Sequence, residues 1–219
     1  MEGPILVSIQ VGLPRFHGTP GAVDLMDQPW VSGFFKEPLA GPVHLGRTNL
    51  AGDGQADLSV HGGPDKAVLA YAADHYPAWR EELGRSDMPF GAFGENFTIR
   101  GLDEERVCIG DTFALGEVRV QVAQPRQPCW KLARRWRLKT LPKRVVETGR
   151  SGWYFRVLCA GTVEAGMVLQ LLERPCPAWT VTRANQVMHG GQQERDATAQ
   201  LAACPFLALA WREYLLNRL

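Results

Sequence analysis

The stretch Arg106-Val107-Cys108-Ile109-Gly110-Asp111-Thr112-Phe113-Ala114-Leu115-Gly116-Glu117-Val118-Arg119-Val120-Gln121-Val122 decides the fold. It reads as three short apolar runs separated by Gly110-Asp111 and Gly116-Glu117. β-Branched and aromatic residues favour strands, and the Gly-acid pairs favour tight turns between them. This close spacing predicts a barrel or sandwich, because parallel strands need longer, usually helical, connections. Upstream, Ile5 to Val11, Gly33 to Lys36, Pro42 to Asn49, Ala67 to Tyr71 and a strand beginning at Asn96 extend the pattern. Downstream, one strand ends near Cys159 and another runs from Met167 to Leu172. Gly12 to Trp30 reads as a long loop and Gly161 to Gly166 as a turn.

Helical patterns interrupt the strands. Asp74 is the expected N-cap of a helix reaching about Leu83, with Gly84 just beyond its end. Trp130 to Trp136 and Leu141 to Thr148 follow, the second stopped at Gly149. At Pro175-Cys176-Pro177 the texture changes. Thr180 caps a helix reaching His189, Glu194 to Ala203 forms a second, and Phe206 to Leu219 an amphipathic third. The expected organisation is a mainly β body over residues 1–172 with peripheral helices, then a three-helix appendage over 173–219.

The chain has 219 residues, 45% hydrophobic and 21% charged, which suits one ordinary globular domain or one with a small appendage. Its 24 basic and 23 acidic residues leave a formal charge of +1, which gives no electrostatic case for nucleic acid or membrane surfaces. Arg134, Arg135 and Arg137 therefore read as a solvated helix face with one or two anion ligands. Five cysteines without a CxxC pair argue against structural zinc and against a disulfide framework. Met1-Glu2-Gly3-Pro4 lacks the basic and apolar parts of a secretion signal, so the expected location is a reducing cytoplasm.

The chemistry concentrates in Gln124-Pro125-Arg126-Gln127-Pro128-Cys129-Trp130-Lys131. A strand enters this segment and a helix leaves it. A thiol at a helix start, flanked by Arg126 and Lys131, is favoured as thiolate, which makes Cys129 the candidate reactive or metal-binding group. The competing reading is a buried structural cysteine at a strand end. In Val60-His61-Gly62-Gly63-Pro64-Asp65-Lys66, Gly62 and Gly63 let backbone amides approach an anion, and His61 and Lys66 could complete a phosphate corner. The alternative is a plain tight turn. Asp53-x-Gln55-x-Asp57 lacks the further glutamate of a calcium loop. Glu95 and Asn96, in Phe93-Gly94-Glu95-Asn96, either hydrogen-bond a polar ligand or hold a strand-entry turn.

In order, Gly52-Asp53, Val60 to Ala67, Phe93-Gly94-Glu95-Asn96, Gly110-Asp111, Gln124-Pro125-Arg126-x-Pro128-Cys129-x-Lys131-Leu132 and Gly152-Trp153 resemble the MOSC family, whose domains are related to the C-terminal part of molybdenum cofactor sulfurase. The YiiM-like subgroup is the nearest match, and the trailing three helices fit it. The Gly-Asp common near the family's final strand is Gly166-Met167 here. The resemblance implies a β-barrel that binds molybdenum cofactor, a pterin dithiolene ending in a phosphate. It implies reduction of N-hydroxylated compounds, such as 6-hydroxylaminopurine, with Cys129 as thiolate ligand to molybdenum. Arg126 and Lys131 would take the phosphate, with Arg150 as a third cation. His61, Glu95 and Asn96 would grip pterin or substrate, His61 also as proton donor, and Asp111 would support from behind. The expected partners are a small-molecule substrate and a separate electron-transfer protein, since no flavin, nicotinamide or iron–sulfur motif is present. The helical appendage is the candidate docking surface, and a homodimer stays open. Two alternatives remain: a sulfur carrier using a Cys129 persulfide, and a module that binds cofactor without catalysis.

Overall fold

A computed structural model describes residues 3–219. The strands are β1 (Ile5–Val11), β2 (Arg15–His17), β3 (Trp30–Ser32), β4 (Glu37–Pro38), β5 (Val43–Leu45), β6 (Val68–Ala72), β7 (Phe97–Arg100), β8 (Thr112–Leu115), β9 (Val118–Pro125), β10 (Trp153–Cys159), β11 (Gly161–Val163) and β12 (Gln170–Glu173). The helices are α1 (Tyr76–Leu83), α2 (Trp130–Trp136), α3 (Leu141–Thr148), α4 (Val181–His189), α5 (Arg195–Ala202) and α6 (Leu209–Leu216).

Eight strands form one sheet in the order β12-β8-β9-β10-β6-β7-β1-β4. Its two ends meet. Leu6 N donates to Met167 O at 2.9 Å, and Gly166 N donates to Leu6 O at 2.7 Å. Residues 166–169 lead straight into β12, so these bonds stitch the far edge back onto β1 and curl the sheet into a barrel. Closure removes the unpaired edges that an open sheet would expose. β8 and β9 pair as an antiparallel hairpin across Gly116-Glu117, as the alternating pattern of 106–122 predicts. The pair β6–β7 is parallel, with α1 in the crossover, so the fold contains one βαβ unit that the strand spacing did not announce.

Several local expectations change for physical reasons. Arg106 to Ile109 is no ladder strand: Val107 O accepts from Val181 N at 2.8 Å, and Ile109 N donates to Trp179 O at 2.8 Å. That segment therefore anchors the start of α4. The loop 12–30 contains β2, which pairs with β3, and the turn after Cys159 contains β11, which pairs with β5. Gly33 to Lys36 is irregular, because Gly33 lies against the 54 turn: a Cβ there would sit 2.1 Å from Gly54 O. Asp74 does not cap α1; its carboxylate accepts from Gly101 N at 2.9 Å. Arg134 and Arg135 of α2 are half-buried, while Arg137, just past its end, is solvated as expected. Arg134 donates to Gln28 O at 3.1 Å, Arg135 to Phe34 O at 3.0 Å and Gly91 O at 2.6 Å, and Arg137 pairs with Asp27. They staple the 27–34 segment onto α2.

Two apolar cores result. The larger fills the barrel with Leu6, Phe97, Phe113, Val120 and Phe155 and continues beneath the C-terminal helices through Val181, Val187, Trp211 and Leu215. The smaller joins α1, α2 and α3 through Tyr76, Trp79, Phe93, Leu132 and Val145. Thr180 caps α4 as expected, its side chain accepting from Arg183 N at 3.0 Å. Each helical group therefore flanks the same barrel, and the chain between β9 and α2 lies where they converge.

Candidate functional site

β9 delivers Pro125, Pro128 prevents the ladder from continuing, and Cys129 takes an extended conformation (φ −109°, ψ 169°) as the residue before α2. The half-buried Cys129 thiol is shared by two adjoining cavities. His61, Lys66, Gln127 and Tyr154 line both as well.

The first cavity brings together His61, Gly62, Lys66, Asn96, Arg126, Cys129 and Lys131 from the sequence-derived set, and it adds Lys36, Gln55 and Tyr154. None of its lining residues is Asp or Glu. Lys36 is neutralised by Asp53, but among the described residues no carboxylate lies within salt-bridge distance of Lys66, Arg126 or Lys131. Arg126 is 3% exposed. Its Nη2 donates to Phe93 O at 3.0 Å, while Nη1 is buried with no partner. Buried polar groups are nearly always hydrogen-bonded, so Arg126 Nη1 is a donor left over for a ligand or water, as is the buried Nη1 of Arg150.

Glu95, Asp111, Arg150 and Gly63 lie outside this lining, and other groups within it are already engaged. Glu95 is fully buried and accepts from Gly91 N at 2.6 Å, Phe93 N and Thr98 Oγ1 at 3.1 Å, and the Tyr76 hydroxyl. It holds the 91–95 turn. Asn96 reaches the cavity but is saturated: Oδ1 accepts from Leu69 N at 3.1 Å, and Nδ2 donates to Asp53 at 2.9 Å and to Gln10 O at 3.2 Å. Asp111 accepts from Cys108 N at 2.9 Å and from Arg174 at 2.9 and 2.7 Å, and it lines neither cavity. Arg150 pairs with Glu82 at 2.6 Å over the Trp79 ring. Gly63 (φ 82°, ψ 174°) precedes the 3-10 turn Pro64–Lys66, and Pro64 has no N–H to offer an anion. The Lys66 ammonium donates to Val60 O at 2.8 Å, and burial pulls its pKa down.

Burial and the nearby Lys131 hold the His61 imidazole below its ordinary value of 6.5, with Lys66 adding to the effect. At neutral pH His61 is therefore a neutral hydrogen-bonding group and not an imidazolium acid. The fold penalises its protonated form, so its contribution to stability is complete above about 6.5 and is lost as pH falls through the lowered folded-state value. An NMR titration should find His61 below its ordinary value, and Lys131→Met should move it upward. An unchanged value in the variant would contradict this electrostatic account.

Tyr154 was not among the sequence-derived residues. Its phenol is raised by burial, with Arg126 opposing and Cys129 reinforcing, so it keeps its proton at neutral pH. The signal was strand alternation: Trp153 points to the core, so the next side chain points out toward Cys129.

The second cavity, about 480 Å³, lies between the β9 end and the helices α4 and α6. Gln124, Pro128 and Tyr154 face Met188, His189, Trp211 and Tyr214 across it. Among the described residues no three His, Cys, Asp or Glu side chains cluster to hold a metal ion, and no helix is long and apolar enough to cross a membrane.

The family model of the MOSC domain matches residues 57–170, which include every residue of the cationic wall except Lys36. The chain belongs to the MOSC family. The YiiM-like, 3-alpha helix domain model matches residues 179–219, the segment holding α4 to α6. This MOSC protein is 43% identical over 201 residues to the uncharacterized protein YflK of Bacillus subtilis (strain 168), covering 92% of this chain and 90% of YflK. It is 39% identical over 181 residues to a protein of Gibberella moniliformis (strain M3125 / FGSC 7600) named reductase, covering 81% of this chain and 32% of that one. The crystal structure of YiiM from Geobacillus stearothermophilus superimposes with a TM-score of 0.81 at 38% identity, covering 98% of each chain.

Proposed function

We propose that this MOSC protein binds molybdenum cofactor and is an oxidoreductase that reduces N-hydroxylated compounds, N-hydroxylated purine bases among them. The observation that carries the proposal is the half-buried Cys129 thiol beside a carboxylate-free cavity that holds the unpaired Arg126 Nη1. These residues fit the cofactor. A lone thiolate suits a soft metal that arrives already held by sulfur. Arg126 and Lys131 suit a terminal phosphate, Arg126 through its free donor and Lys131 as a point charge.

When bound, the cofactor supplies two-electron redox chemistry at molybdenum. The net reaction takes R–NH–OH, two electrons and two protons to R–NH2 and water. The chain's own residues position and protonate. Tyr154 carries a proton at Oη beside Cys129, and neutral His61 orients polar groups by hydrogen bonding. The electrons come from a separate donor protein. Kinship with a protein named reductase supports the reaction class.

The test is turnover. Molybdenum-loaded protein with a reduced viologen should convert 6-hydroxylaminopurine to adenine, and Cys129→Ala should not. A fully loaded parent that yields no amine from any N-hydroxylated base would overturn the proposal.

A further inference from the structure

The cavity on the C-terminal side of Cys129 differs in character from the cationic one. Among the described residues Lys66 is the one Lys, Arg, Asp or Glu in its lining, and its far wall is Met188, His189, Trp211 and Tyr214. Aromatic faces with little charge suit a flat, uncharged ring, and a volume of about 480 Å³ lies within the usual range for small-molecule sites. The floor carries a second observation. Gln124 is 3% exposed; its Nε2 donates to Pro125 O at 3.3 Å, but its Oε1 is buried with no donor. A buried acceptor left unpaired is costly, and a ligand N–H would satisfy it.

The cleft is preformed. Ala208 N donates to Ala123 O at 2.9 Å, which fixes the start of α6 against β9 one residue from Gln124. Asp65 ties the same helix to the His61 loop: its carboxylate accepts from Arg156 Nε at 2.8 Å and from Leu209 N at 3.4 Å. Both walls are therefore held at a set separation on either side of the thiol.

We infer that this cleft is the specificity subsite, taking the uncharged N-heteroaromatic ring of the substrate between Tyr214, Trp211 and Gln124, with a ring N–H donating to Gln124 Oε1. Its role as a substrate subsite rests on the reductase proposal. The helices α4 and α6 then select the substrate ring, while the cationic cavity holds the anion.

Adenine is the probe, since it is the amine left when the N–O bond of 6-hydroxylaminopurine is cleaved. Calorimetry on the full chain from a cofactor-producing host should show saturable adenine binding that inorganic phosphate does not displace. Tyr214→Ala, at a residue 56% exposed and outside the core, should weaken it about tenfold. Gln124→Leu should also weaken it about tenfold. No binding, displacement by phosphate, or equal affinity in Tyr214→Ala would overturn the subsite, and the exposed Tyr214 keeps the test valid should Gln124→Leu misfold. Adenine binding of the expected pattern in a chain that takes up no molybdenum would support the cleft as a ring-binding site while sinking the reductase proposal.

Discussion

Asp53→Ala is expected to lower folding stability by about 3–5 kcal/mol, the usual cost of stripping one partner from a buried ion pair. The Asp53 side chain is fully buried and pairs with the Lys36 ammonium, itself 7% exposed. It also accepts from Gly12 N at 2.8 Å and Asn96 Nδ2 at 2.9 Å. Gln55 Nε2 also donates to it at 3.3 Å, so alanine leaves the Lys36 ammonium and Gly12 N unpaired beneath the cationic cavity and takes one acceptor each from Asn96 and Gln55, which keep Gln10 O and Asn49 Oδ1. Burial already depresses the Lys36 pKa, with Asp53 as the chief opposing influence, so the remaining ammonium is the most costly orphan. Adding Lys36→Met to the variant should recover part of the loss but not all, since Gly12 N stays unpaired and Asn96 and Gln55 stay one acceptor short. Urea denaturation of the parent, single and double variants checks this. A single variant within about 1 kcal/mol of the parent would contradict the assignment of a strongly coupled buried pair.

Arg126→Met should separate function from stability in the opposite sense. The side chain contributes one hydrogen bond, to Phe93 O, and buries one unpaired nitrogen. Losing the bond and relieving the buried charge oppose each other, so the stability change should stay within about 1 kcal/mol. Binding of an anion should fall roughly 10- to 100-fold, because charged hydrogen bonds contribute about 1.5–3 kcal/mol each. The comparison to make is cofactor retained through gel filtration against the denaturation midpoint. Full retention combined with a large fall in stability would make Arg126 a structural residue.

Much of the fold was legible locally because its signals are local. β1 and α3 begin and end where alternation, Pro142 in the first turn and Gly149 indicate. β2, β4, β5 and β11 were missed or mis-set because they have two or three residues each. β5 pairs with β11 across more than a hundred residues, and no local period records that. The polar motif residues were ambiguous for a physical reason. A carboxylate in a glycine-rich turn ties backbone amides as readily as it binds ligand, and Glu95 is spent on Gly91 and Phe93. Asp111 is likewise consumed by Arg174, and Arg150 pairs with Glu82 through Nη2 while its Nη1 stays unpaired. What sequence could not supply was the orphaned Nη1 of Arg126, since a missing partner is visible only once every neighbour is placed.

The most direct measurement is molybdenum content per chain in protein from a cofactor-producing host, for the parent and Cys129→Ala side by side. Near-stoichiometric molybdenum in the parent, lost or labile in the variant, is the expected result. No molybdenum in either protein, with cofactor synthesis in the host confirmed, would contradict the account and favour a persulfide carrier at Cys129.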